Sequence, residues 1–188
     1  MIKAIEKAGP KNIDNVVDII SKVNRSQVDD VINLIARHGD GMVRAIKNCG
    51  TDKIDLIFEL AGTSKKVDWG DVLAIERMPD KIVWLEIGKD KEAALAETIK
   101  RGIEVKPTGY KHILEEHRLQ FIDRGIAEND LIDVIMQALR ENNVVDKQGR
   151  SRLVYLTNYK GEEQLIAIEV GGNGYIVSAN PAKIKNAG

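Results

Sequence analysis

Apolar residues in this chain keep two different periods, and the change from one to the other restricts the folds open to it. Ile13, Val16, Val17 and Ile20, then Val28, Val31, Ile32 and Ile35, recur at intervals of three and four. Each set is the stripe of a helix that must bury one side. Beyond residue 152 the pattern changes to strand-length runs at about Leu153 to Asn158, Gln164 to Val170 and Tyr175 to Ala179. Turns at Tyr159-Lys160-Gly161 and Gly171-Gly172-Asn173-Gly174 separate them. Helices followed by consecutive strands predict an α+β fold, with an antiparallel sheet at the end of the chain.

The helical part is weakly repetitive. Ala4-Ile5-Glu6-Lys7-Ala8-Gly9 is echoed by Ala45-Ile46-Lys47-Asn48-Cys49-Gly50, and Ile13-Asp14 by Ile54-Asp55 at the same offset. Short glycine-closed helices of this kind are unstable alone and must form a bundle. We therefore expect a helical repeat-like segment over residues 1–65, a linker over 66–80 and a second domain over 81–188. In that domain Lys81 to Ile87 reads as a strand and Asp90 to Arg101 as a helix ended by Gly102. Two further helices follow, from Tyr110 to about Asp123 and from Leu131 to Leu139, so the second domain should pack two or more helices on the antiparallel sheet.

Bulk properties set limits on partners. With 43% apolar and 30% charged residues, the composition is that of an ordinary globular protein. The longest apolar runs are strand-sized, too short for a membrane-spanning segment. Residues Met1 to Lys7 lack the apolar core of an export signal, and the chain is expected to be part of a longer protein. A formal net charge of -1 argues against a protein that coats nucleic acid by bulk electrostatics. Cations do gather locally, at Arg140, Lys147, Arg150, Arg152 and Lys160. Cys49 is the only cysteine, which rules out an internal disulfide and a thiolate zinc cluster and suits a buried structural thiol.

Two of the three histidines fall in Gly109-Tyr110-Lys111-His112-Ile113-Leu114-Glu115-Glu116-His117-Arg118. Histidine exchanges protons near neutral pH. A phosphodiester in RNA can be cut without a metal when one group deprotonates the 2'-hydroxyl, another protonates the leaving oxygen and cations hold the phosphate. His112 and His117 are the acid/base candidates. Five residues apart on a helix, they lie about 140° apart around its axis, so we expect one to reach the site and the other to support it. The spacing misses the His-Glu-x-x-His zinc pattern by one residue, and no metal or other cofactor is expected. Glu86 and Lys89 likewise miss the Glu-x-Lys spacing of restriction-type nucleases. His38, before a Gly-Asp-Gly turn, reads as a helix C-terminal cation.

Strand alternation distributes the remaining candidates. Tyr155 and Thr157 share a side with Leu153, while Arg152 and Val154 take the other; Ser178 and Asn180 share one side of the last strand. Arg152, Tyr155 and Ser178 are candidates for phosphate-side or orienting roles. Lys111, Arg118, Arg150, Tyr175 and Asn180 are candidates for substrate binding. The two histidines also fit a surface helix that they merely solvate, and both tyrosines fit half-buried strand aromatics.

Trp84-Leu85-Glu86-Ile87-Gly88, the histidine segment, Phe121 to Ile126, and Val170-Gly171-Gly172-Asn173-Gly174-Tyr175-Ile176-Val177-Ser178-Ala179-Asn180-Pro181 together resemble the C-terminal toxin domains of bacterial polymorphic toxins. Effectors of contact-dependent growth inhibition belong to that class. In architecture the segment is similar to the barnase/EndoU/colicin/RelE-like group of ribonucleases. The resemblance covers about Lys81 to Pro181 and departs from the group by the inserted segment Lys89 to Thr108. It implies a metal-independent ribonuclease toxin acting on RNA, tRNA foremost, and neutralised in the producer by a cognate immunity protein. It also implies secretion or cell-surface delivery as part of a larger protein, with action in the target-cell cytoplasm. The group's helix histidine matches His112 or His117, its strand cation Arg152, and its last-strand hydroxyl Ser178. The segment before Lys65 would then lie between delivery apparatus and toxic tip. Two other functions fit the residues: a metal-dependent DNase toxin of the same delivery class, and a non-enzymatic helical interaction module.

Overall fold

The computed structural model describes residues 2–183. The chain divides into two compact units, residues 1–75 and 76–188. Residues 184–188, the end of the expected second domain, lie outside the described residues.

The first unit is helical: α1 (Ile2–Ala8), α2 (Ile13–Lys22), α3 (Val28–His38), α4 (Asp40–Cys49) and α5 (Ile54–Ala61). Its sequence echo is a structural one. In both copies a glycine at positive φ, Gly9 at 82° and Gly50 at 88°, closes one helix. A single 3-10 turn then leads into the next, at Pro10–Asn12 and at Thr51–Lys53. The apolar stripes are narrower than expected, since Val16 and Ile19 are buried while Ile13 and Val17 stay exposed.

His38 does not behave as a helix-end cation. Its ring lies 5.8 Å from that of Trp69, and burial with the neighbouring Arg37 charge lowers its pKa and favours the neutral form. Burial likewise pushes the Cys49 thiol up to about 12, which keeps it protonated and unreactive.

The division between units falls inside strand β1 (Val72–Arg77), within the segment expected to be a linker. With β2 (Ile82–Glu86) it forms a two-stranded sheet. The second unit continues with α6 (Lys91–Arg101), α7 (Gly109–Ile122) and α8 (Leu131–Glu141), then β3 (Val144–Gln148), β4 (Arg152–Tyr159), β5 (Glu162–Val170) and β6 (Ile176–Pro181). The last four form an antiparallel sheet in the order β3-β4-β5-β6. The α+β class is as the periods indicate. Strand β3 is an element they do not reveal, because Val144-Val145-Asp146-Lys147-Gln148 is an exposed edge strand with little apolar alternation.

Helix α6 starts and stops on local signals. Asp90 caps it through the Ala93 N–H at 2.8 Å, and Gly102 ends it in the left-handed region. Helix α8 packs on β4, and Glu141 accepts a hydrogen bond from the buried Thr157 hydroxyl at 2.6 Å. Asp130 does not cap α8. Its carboxylate binds the Tyr159 hydroxyl and Lys160 instead.

Helix α7 is pinned at its start by a close backbone approach. The Lys111 N–H donates to the Ile87 carbonyl at 2.9 Å, and Lys89 and Thr108 exchange two backbone hydrogen bonds at 2.8 and 3.0 Å. Only glycine allows this packing. Gly88 has φ +69° and a Cβ there would stand 2.0 Å from the Thr108 carbonyl oxygen; Gly109 has φ +74° and a Cβ there would stand 2.8 Å from the Glu86 carbonyl oxygen.

Gly88→Ala and Gly109→Ala are therefore expected to destabilise the second unit by at least about 2 kcal/mol each, since each combines a left-handed backbone with a clash against rigid carbonyls. Urea unfolding, with amide exchange in α7 as the local probe, measures it. Gly102→Ala, where no atom lies within 4 Å of the added carbon, should have a smaller effect.

Candidate functional site

Helix α7 runs along β6, and buries Gly109, Ile113 and Phe121. His112 and His117 flank Ile113 on the helix circumference, so both stand beside the packed seam. Their rings meet edge to face with centroids 6.0 Å apart. The two rings thus come together although their positions lie about 140° apart around the helix. A 140° separation about the axis does not keep apart side chains long enough to bend toward the same seam.

Strand register supplies the other side. Leu153 and Val154 on β4 pair with Ile168 and Ala167 on β5, which sets Arg152 opposite Glu169, and Glu169 pairs with Ser178 on β6; Val154, Ala167 and Asn180 form the next row on the same side. Arg152, Glu169, Ser178 and Asn180 therefore share one side of the sheet. The Arg152 guanidinium lies 3.5 Å from the Glu169 carboxylate and donates to Asn180 Oδ1 at 2.7 Å. Glu169 also accepts from the Ser151 hydroxyl at 2.8 Å. A guanidinium has five N–H donors, so these partners orient Arg152 without exhausting it.

Both imidazoles are held toward the neutral form. For His112 the main cause is burial, opposed by the Glu116 carboxylate and reinforced by Arg152. For His117 it is again burial, followed by the charges of His112 and Arg152, with Gln120 and Glu116 acting the other way. The pair is thus electrostatically coupled, and a proton on one ring disfavours a proton on the other. Both Nδ1 atoms and the Ser178 Oγ are buried with no hydrogen-bond partner. Such atoms are uncommon in interiors. Glu116 is in turn tethered to Lys91 of α6, and Glu115 accepts from the Lys91 N–H at 2.9 Å.

Several sequence candidates lie elsewhere. Tyr155 is 1% exposed and, by alternation, on the opposite side of the sheet from Arg152. Tyr175 packs its ring 6.2 Å from Trp84 and donates to the Thr108 hydroxyl at 3.2 Å, where it braces the start of α7. Lys111 pairs with Asp90 at 3.6 Å and Arg118 with Glu128 at 3.2 Å, both on the side of α7 away from the histidines. Arg150 is exposed in the β3–β4 turn. The expected cationic strip is also largely neutralised, with Arg140 bound to Glu76 at 3.1 Å and Lys160 to Asp130 at 2.9 Å.

Four participants escaped sequence reasoning. Glu116, one helical turn after His112, was readable from spacing. Glu169 needed the β4–β5 register, Gln148 the unrecognised β3, and Gln120 the path of α7. Among the described residues no group of three or more His, Cys, Asp or Glu side chains gathers as a metal site.

Acid stability tests the electrostatics directly. Unfolded, each imidazole takes up a proton near its ordinary value of 6.5; folded, it does so only at lower pH. The unfolded chain thus binds more protons in that interval, and folding stability, complete above it, falls as pH drops below 6.5. The His112→Gln/His117→Gln chain should lose less stability than the parent over that range in denaturant titrations at stepped pH. An unchanged pH slope would show that neither ring is held neutral.

No protein-family model matches this chain, and no curated protein matches it significantly.

Proposed function

We propose that the second unit is a metal-independent ribonuclease acting as an antibacterial toxin domain, with tRNA as the foremost target and a cognate immunity protein as its inhibitor. The observation that carries the enzymatic part is the coupled histidine pair beside an oriented arginine on one side of the sheet. Two imidazoles that share a single proton offer a base for the 2'-hydroxyl and an acid for the departing 5'-oxygen. Arg152 supplies the fixed positive charge for a phosphate on which negative charge develops. Ser178 Oγ, buried on the Arg152 side of the sheet without a hydrogen-bond partner, is the remaining candidate for a phosphate-side or orienting role. The toxin class, the immunity partner, delivery from a larger secreted or cell-surface protein and action in a target-cell cytoplasm come from the sequence resemblance. No helix among the described residues is long and apolar enough to cross a membrane.

Induced inside a bacterium, the chain should arrest growth and nick tRNA or other RNA, visible on a gel of total RNA. His112→Ala or His117→Ala should lower cleavage by about 10²-fold or more, the usual worth of a general acid or base. Cleavage should persist in EDTA. Toxicity that survives in the double variant, or nicking that requires a divalent ion, would overturn the mechanism.

The pH profile gives a second test. A pair that must carry one proton yields a bell-shaped kcat/KM, and because burial lowers both values the maximum should fall below pH 6.5. Arg152 depresses both imidazoles, so Arg152→Gln should move the maximum to higher pH while lowering its height. Arg152→Lys, which keeps the charge, should leave the maximum in place.

A further inference from the structure

The first unit uses one helix–turn–helix module twice, as α1–α2 and as α4–α5. Gly9 and Gly50 have matching φ/ψ, 82°/154° and 88°/153°. So do the residues that open the second helix, Asn12 at -106°/4° and Lys53 at -95°/9°. With Gly9 set against Gly50, Ala4 and Ala45, Val16 and Ile57, and Ile19 and Leu60 are buried in both copies. Three apolar positions break the match. Ile2 is 75% exposed where Val43 is 0%, and Ile13 is 40% exposed where Ile54 is 3%. Val17 is 58% exposed where Phe58 is half-buried.

The second copy shows what covers this side. Helix α3 packs against both α4 and α5, and Gln27, in the turn that opens α3, donates to Asp55 Oδ1 at 2.7 Å. In the first copy α1 packs on α3 and α2 on α4, contacts that leave Ile2, Ile13 and Val17 in the open. Asp14, the counterpart of Asp55, is exposed and has no partner among the described residues. Asp18, one turn further along α2, is held by Lys22 at 2.8 Å. Repeated modules bury their apolar sides only against a neighbour, and here the neighbour of one copy is on the page while that of the other is not.

We infer that the open side of α1 and α2 is a docking site for an amphipathic helix of another protein, seated there as α3 is seated on α4 and α5. The α3 template specifies the occupant. It carries apolar residues at the spacing of Val28, Val31, Ile32 and Ile35, and an amide or cationic donor in its entering turn, placed to meet the Asp14 carboxylate. A helix laid on an apolar stripe is a recurring mode of peptide recognition. The α3 of a second copy does not serve, because it is already enclosed by its own α1, α4 and α5. The site lies within the first unit and is independent of the ribonuclease reading.

The probe is a peptide of residues 24–38, held helical by a lactam from Asp29 to an Asn33→Lys substitution, both positions being exposed on α3. Titrated into the ¹⁵N-labelled full chain, it should shift the amides of α1 and α2 and leave those of α5 in place. Val17→Asp in the chain should weaken binding by about tenfold or more, the worth of one buried valine. A Gln27→Glu peptide, which sets a carboxylate against Asp14, should bind the parent about fivefold more weakly and regain most of that loss on the Asp14→Asn chain. Ile13, Val17 and Asp14 are exposed, and circular dichroism checks that the variants fold.

No binding at millimolar peptide overturns the proposal, as does binding unchanged by Val17→Asp. Shifts confined to α5 would mean that the peptide displaces α3, and these overturn it as well. Self-association of the chain alone, abolished by Val17→Asp, would make the occupant a second copy and overturn the assignment to another protein.

Discussion

The second unit is organised around one close approach of backbone to backbone, between the end of β2 and the start of α7. Gly88 and Gly109 both adopt left-handed conformations with carbonyl oxygens where a side chain would stand. This contact sets where α7 begins and, with the Lys111–Ile87 hydrogen bond, the rotation of the helix about its axis. A helix rotated by one residue, about 100°, would carry one of the two histidines away from the seam with β6 and so separate the pair. Tyr175 braces the same junction from the sheet side, through Trp84 and Thr108.

Burial and charge act together at the histidines. Burial alone would make each imidazole a neutral, inert ring, and Arg152 pushes the same way. Glu116, one turn from His112, opposes both, and Gln120 does so for His117. On balance both imidazoles are held toward the neutral form, and a proton on one disfavours a proton on the other, because like charges at this separation raise each other's free energy. Arg152 is the pivot, since it biases the imidazoles electrostatically while its partners Glu169 and Asn180 hold it in place.

Legibility in the sequence followed locality. The repeated helix–glycine–turn unit, the α6 cap at Asp90, the glycine stop at Gly102 and the three apolar strands were all readable, because each is decided by residues within a few positions of one another. Alternation also separated Tyr155 from Arg152 correctly. It did not show that Tyr155 is thereby removed from the site, which requires knowing which side of the sheet the histidines approach. Strand β3 was illegible because edge strands bury little, and so its residues carry charge in place of an apolar rhythm.

What the chain determined alone was its inventory: two histidines on one helix, an arginine and a serine on strands, and glycines where left-handed turns are required. Those follow from local conformational preference and from side-chain chemistry, which need no partner element. Tertiary structure decided which of these meet. The convergence of His112 with His117 and the alignment of Arg152, Glu169 and Ser178 depend on strand register and on helix rotation. Both are settled by packing between segments far apart in sequence, where no local pattern carries the information.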